Sequence, residues 1–180
     1  MSEHAHDHEQ SAQLSNRVKT LIAALSERGL VTEEQLDATV EGFLLHAKPA
    51  NAFAVIARAW KDPEYKKRLL ADASSAVTEL GIDMSHWAPV KLRAVENTVD
   101  VHNIIVCTLC SCYPIAFLGP SPKWYKSEAY RSRVVLDPRG VLAEFGVHLA
   151  ENIRIHVWDS TSELRYFVIP VRPDGTEACS

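Results

Sequence analysis

Three of the chain's four cysteines, Cys107, Cys110 and Cys112, fall within six residues. Thiols spaced by three and then two residues must share one turn of backbone, so they bond to one another, hold a common ion, or are packed away together. Nothing in the composition calls for a disulfide framework. A chain of 180 residues with 47% hydrophobic and 23% charged residues can bury a core of its own. The amino terminus lacks the charged-then-apolar order of a secretion signal, and no stretch approaches the roughly 20 apolar residues of a membrane span. A cytoplasmic location is the expectation, and disulfides are disfavoured there. A formal charge of -4 provides no basic field for a nucleic-acid backbone.

Four chemistries compete for the run Val106-Cys107-Thr108-Leu109-Cys110-Ser111-Cys112-Tyr113-Pro114. A structural zinc site needs a fourth ligand, which would have to be His102, His148 or Cys179. A thioredoxin-like redox pair would use Cys107 and Cys110 at a helix start, and leaves Cys112 and Pro114 without a role. Plain buried cysteines would not need this spacing. The fourth chemistry recruits the backbone. If the sulfurs of Cys110 and Cys112 bind one ion, the amide nitrogens of Ser111 and Cys112 lie between them and close chelate rings of six, five and five atoms, all unstrained. Cys107 can then reach over as an axial thiolate, leaving one position open. Deprotonating amides calls for a strongly Lewis-acidic ion, and a thiolate-rich field suits trivalent cobalt or iron better than tetrahedral zinc. An open site on such an ion activates water or polarises a substrate.

Around this motif the chain reads as α/β, layered in the α+β manner: an N-terminal helical arm followed by a compact α/β metal-binding half. Residues 1–12 read as a flexible His-rich tail in which His4, His6 and His8 have incidental metal affinity, with metal delivery the weaker reading. Residues 13–81 form the helical arm. Leu14, Val18, Leu21, Ile22 and Leu25 recur at helical spacing up to Gly29, where a left-handed cap closed by Leu30 is expected. Thr32-Glu33-Glu34-Gln35 is a capping box for a second helix. A third is expected from about Ala50 to Trp60, and Asp62-Pro63 opens a fourth running to Gly81.

Residues 82–180 form the α/β half, one continuous structural domain with the arm. Ile82 to Val101 reads as a connection, and Val101 to Val106 as a buried strand by its β-branched composition. Pro114, Gly119, Pro120 and Pro122 mark a loop, followed by helices over about Ser127 to Val135 and from Asp137-Pro138 to Gly146. Ile153, Ile155 and Val157, then Leu164, Tyr166 and Val168, alternate with polar residues on either side of a Ser-Thr-Ser turn and are expected to pair as a hairpin.

The claw, together with Trp124-Tyr125-Lys126-Ser127, Tyr130-Arg131-Ser132-Arg133-Val134-Val135, Glu144-Phe145-Gly146, Val157-Trp158-Asp159-Ser160 and Arg172-Pro173-Asp174-Gly175-Thr176, resembles the α subunit of nitrile hydratase. The resemblance spans most of the chain and implies the nitrile hydratase α-chain fold and a hydro-lyase that turns nitriles into amides. Thr108 and Tyr113 mark the cobalt type, implying a low-spin, non-corrin Co(III), with Fe(III) second. The resemblance further implies Cys107, Cys110 and Cys112 as sulfur ligands and Ser111 and Cys112 as nitrogen ligands. By the same pattern Cys110 becomes a sulfinic and Cys112 a sulfenic acid, held by arginines of a β-type partner subunit. Cys112, by its oxygen, and Ser111, by its hydroxyl, are the implied catalytic groups. A cobalt-delivering activator and a small nitrile are further implied partners, and no nucleic acid or membrane is.

The chain also resembles the cobalt subunit of thiocyanate hydrolase, which carries the same claw and a His-rich amino terminus. The third class is a non-catalytic metal-binding module. Three departures stand against the nitrile hydratase pattern. Ile115-Ala116 follows Tyr113-Pro114, opening the question of substrate choice; Ile82 to Val90 lacks a Gln-Gly-Glu element; and the chain stops at Cys179-Ser180, where relatives carry on. Lys126, Arg131, Arg133 and Arg139 read as solvated or partner-facing, and Trp60, Trp124 and Trp158 as core or interface aromatics.

Overall fold

The structure, a computed structural model, describes residues 3–84, 90–110 and 112–177, with side chains from residue 12 onward except that of residue 46. The chain divides into two compact units, Met1–Leu45 and His46–Ser180. No described helix is long and apolar enough to cross a membrane.

The first unit holds α1 (Glu3–Glu27) and α2 (Glu33–His46). α1 starts well before the expected end of the tail. No glycine or proline precedes Gly29, and the Glu, Ala and Gln residues of the first turns favour helix, so nothing in the sequence stops it. Its far end is the cap expected at Gly29. With φ of 66° there, Gly29 N–H donates to the Ser26 carbonyl at 2.9 Å and Leu30 N–H to that of Leu25 at 3.0 Å, which is the Schellman pattern. The capping box also forms, Gln35 N–H donating to Thr32 Oγ1 at 3.2 Å and Thr32 N–H to Gln35 Oε1 at 3.0 Å.

The second unit begins with α3 (Ala50–Lys61), α4 (Pro63–Ala71) and α5 (Ala73–Thr78). Asp62 caps α4 through Tyr65 N–H, as expected from Asp62-Pro63. The helix expected to run on to Gly81 breaks instead at Asp72. That residue is extended and its carboxylate takes both the N–H and the hydroxyl of Ser75, starting a new helix. Four strands follow: β1 (Lys91–Glu96), β2 (Val101–Val106), β3 (Arg154–Asp159) and β4 (Leu164–Ile169). Between β2 and β3 lie α6 (Ile115–Leu118), α7 (Lys123–Lys126), α8 (Glu128–Leu136) and α9 (Pro138–Glu144).

The strand pairing corrects the expected hairpin. β3 pairs parallel with β2, Val106 lying opposite Asp159, and β4 pairs parallel with β1. The short turn after Asp159 carries the chain from one pair to the other. β1 itself lies within the stretch read as a connection. The helices α6–α9 make the long crossover that parallel β2 and β3 require.

Two apolar clusters result. Val55, Tyr65, Leu69, Val77, Phe117 and Phe167 pack α3–α5 onto β1 and β4, and Ile104, Val106, Tyr125, Tyr130, Val134 and Leu142 pack α7–α9 onto β2 and β3. Buried Asn103 ties the strand pairs. Its Nδ2 donates to the Glu96 carbonyl at 2.8 Å and its Oδ1 accepts from Trp158 Nε1 at 2.8 Å.

Candidate metal centre

β2 runs straight into the cysteine loop. Val106 and Cys107 are buried at the strand's carboxyl end, the end at which parallel α/β units place their sites. Ser160 N–H donates to the Val106 carbonyl at 2.7 Å, so the turn after β3 fixes the point at which the loop leaves the sheet.

Beyond that point the backbone folds back on itself and the three sulfurs converge. Cys107 Sγ lies 3.2 Å from Cys110 Sγ, and Cys110 Sγ lies 2.9 Å from Cys112 Sγ. All three lie within 4.8 Å of one another. Cys110 N–H donates to Cys107 Sγ at 3.4 Å. Cys107 and Cys112 are buried and Cys110 is exposed. Burial, followed by the neighbouring sulfurs of Cys110 and Cys107, pushes the Cys112 thiol up to about 12. A cation among the sulfurs inverts that preference.

The sulfur spacings test which ion fits. With metal–sulfur bonds of about 2.3 Å, tetrahedral angles separate two sulfurs by about 3.8 Å and right angles by about 3.3 Å. The Cys107–Cys110 spacing of 3.2 Å is close to the right-angled value, and the Cys110–Cys112 spacing of 2.9 Å is shorter than either, so neither pair is spread to the tetrahedral distance. Among the described residues no fourth side-chain ligand joins them. His102 is instead engaged at the other end of β2, its Nδ1 lying 3.3 Å from Asn97 Nδ2. Cys107 and Cys110 also sit in loop rather than at a helix start, which removes the thioredoxin-like arrangement. Ser111 and Cys179 lie outside the described residues.

Three neighbours hold the loop and a fourth holds the strand end before it. Asp159, at the end of β3, accepts from Thr108 N–H at 3.0 Å and from its hydroxyl at 2.5 Å. Tyr125 of α7 donates its buried hydroxyl to the Cys112 carbonyl at 2.9 Å. Tyr130 of α8 donates to the Ile105 carbonyl at 2.7 Å. The next residue, Arg131, donates through Nη1 to the carbonyls of Thr108 at 3.2 Å and Cys110 at 3.3 Å. Arg131 thus grips the loop, where the sequence suggested a solvated or partner-facing side chain. Arg133 pairs with Glu144, and Arg139 donates to the carbonyls of Leu149, Ala150 and Ile153 ahead of β3.

The sequence does not mark Asp159, Tyr125 and Arg131 as loop holders. The signal available for Asp159 was an acidic residue at the end of an expected strand. Tyr125 and Arg131 gave no such sign, because an aromatic and a basic residue on short helices have many uses.

A family model described as nitrile hydratase, alpha chain, matches residues 12–180. The chain belongs to the nitrile hydratase alpha-chain family. Within that family it is 47% identical over 165 residues to a low-molecular-weight cobalt-containing nitrile hydratase subunit alpha of Rhodococcus rhodochrous, covering 92% of this chain and 79% of the relative. It is also 43% identical over 138 residues to a thiocyanate hydrolase subunit gamma of Thiobacillus thioparus, covering 72% of this chain and 57% of that one. Among solved structures, a double mutant of the Fe-type nitrile hydratase of Comamonas testosteroni Ni1 superposes with a TM-score of 0.84 at 39% identity, over 94% of this chain and 82% of the other. The nitrile hydratase alpha-chain fold expected from the sequence is therefore the fold observed.

Proposed function

We propose that this chain is the metal-binding, catalytic subunit of a nitrile hydratase, adding water to a small nitrile to give the amide. The observation that carries this reading is the convergence of three sulfurs, at spacings of 2.9 and 3.2 Å, in a chain of this family. Cys107, Cys110 and Cys112 are the sulfur ligands, and the backbone nitrogens of Ser111 and Cys112 complete the set. Cobalt in the trivalent, low-spin, non-corrin form is the metal, supported by Thr108, Tyr113 and the cobalt-containing relatives, with Fe(III) second. When bound, such an ion supplies a Lewis acid with one open position, which polarises the nitrile carbon.

The chain's own residues do the rest. Cys110 and Cys112 are the positions for the sulfinic and sulfenic groups, whose oxygens draw charge from the sulfurs. Either a water beside the Cys112 oxygen adds to the nitrile carbon, or that oxygen adds, its S–O bond breaks, and the incoming water restores the oxygen on sulfur. In both routes the two protons of the water consumed end on the amide nitrogen, with the Ser111 hydroxyl as the candidate carrier. Burial of Cys107 and Cys112 keeps this side of the loop dry, which strengthens every charge interaction inside it. The exposed side at Cys110 is where a β-type partner subunit closes the site in a hetero-oligomer. A cobalt-delivering activator loads it, in the cytoplasm.

The second reading, a thiocyanate hydrolase cobalt subunit, is supported by the Thiobacillus thioparus relative. The cobalt-loaded complex of this chain with its partner, given an aliphatic nitrile and thiocyanate in parallel, separates the two. Amide formation without thiocyanate turnover is expected. Thiocyanate turnover without amide supports the second reading, and neither activity from a fully cobalt-loaded complex supports a non-catalytic module.

A further inference from the structure

Arg131 is the cationic one among the loop holders, and it touches the loop twice. Its Nη1 bridges the carbonyls of Thr108 and Cys110, three and one residues before Ser111. It leaves from α8, whose preceding residue Tyr130 fixes the Ile105 carbonyl at the end of β2. The helix therefore grips strand and loop at adjacent side chains. The guanidinium is poorly compensated where it sits. Its Nε is buried without an acceptor, and no carboxylate among the described residues pairs with it. A half-buried cation whose hydrogen-bond contacts are two neutral carbonyls, with its Nε buried and unanswered, is incompletely compensated.

The Cys110 carbonyl is no ordinary acceptor. It belongs to the same planar, conjugated peptide unit as the Ser111 nitrogen, so charge on that nitrogen is shared with the oxygen that Arg131 touches. With that nitrogen an anionic ligand of the metal, as the proposed function has it, its charge would be shared with that oxygen. A guanidinium donor there becomes a charge-assisted hydrogen bond, about twice as strong as a neutral one.

We propose that Arg131 is a positioning residue for the metal centre: it holds the cysteine loop in its converged form, and its charge offsets that of the metal-bound Cys110–Ser111 peptide. This rests on the cobalt reading for its second half only. The first half concerns the metal-free loop as it stands.

The test compares the wild-type complex with Arg131→Gln and Arg131→Lys, and with Arg133→Gln as a same-helix control whose partner is Glu144. In the metal-free complex, alkylation of the buried Cys107 and Cys112 by iodoacetamide is followed by mass spectrometry. Arg131→Gln should raise both rates at least about tenfold at an unchanged melting temperature, with Arg131→Lys intermediate and Arg133→Gln unchanged. In the cobalt-loaded complex, loss of cobalt to a chelator should be about tenfold faster in Arg131→Gln, with a shifted sulfur-to-cobalt absorption band. Wild-type alkylation rates in Arg131→Gln overturn the positioning role, and faster alkylation with unchanged cobalt retention overturns the electrostatic half. If Arg131→Gln does not fold, Arg131→Lys decides, since a single ammonium cannot take the place of the fork and must show the intermediate rate. A wild-type complex that holds no cobalt defeats the functional reading, while the alkylation result still stands or falls by itself.

Discussion

Cys112 meets two opposing demands. As a ligand it must surrender its proton, yet burial and the adjacent sulfurs favour the protonated thiol, pushing it up to about 12 from an ordinary 9.0. Without metal, the folded chain therefore keeps a proton that the unfolded chain loses near pH 9. The stability this contributes is fully present below about pH 9 and is lost as the pH rises toward about 12. Buried Tyr130, also pushed up to about 12, adds to the same loss once the pH passes its ordinary 10.0. A Cys112→Ser variant separates the two. Thermal melting of the metal-free chain should show a fall in Tm above pH 9 that is shallower in Cys112→Ser, and equal slopes would show that the thiol is not held protonated. Residue-scale legibility was uneven. The three cysteines announced themselves by spacing, because ligands on one loop must be close in sequence. Asp159 did not, because it lies 51 residues from the Thr108 it holds and only the β2–β3 register brings them together.

At the scale of elements, local signals were legible where they close on themselves. The Gly29 cap, the Thr32–Gln35 box and the Asp62 and Asp137 caps all involve neighbours within five residues, and all formed. Signals that depend on distant partners were not. β1 escaped notice because Lys91, Arg93 and Glu96 are poor strand formers, and only its pairing with β4 makes it a strand. The alternation in β3 and β4 correctly marked two strands and a reversal, but alternation says which face is buried, not which neighbour is paired. The stretch after the claw, read as loop, holds α6 and α7, each a single turn. Gly119, which ends α6, joins both kinds of signal. Its φ of 74° is left-handed, and an added Cβ would lie 2.9 Å from Pro49 Cγ at the start of α3. Gly119→Ala therefore combines backbone strain with a clash and should cost about 1–3 kcal/mol. A urea midpoint unchanged by Gly119→Ala would contradict the close approach of α6 to α3.

For the whole molecule, the second unit assembles the claw from one strand end and two clamping helices, while the side of Cys110 stays open. Beside it Leu109 is 90% and Leu136 86% exposed. The central claim belongs to the assembled complex, where one loop is to supply both sulfur and backbone nitrogen to a single ion. Cobalt-edge X-ray absorption of the purified complex measures this directly. Three sulfurs at about 2.3 Å together with a shell of lighter nitrogen and oxygen atoms is the result expected. A four-coordinate shell lacking those light atoms, or a fourth sulfur in their place, would contradict the account.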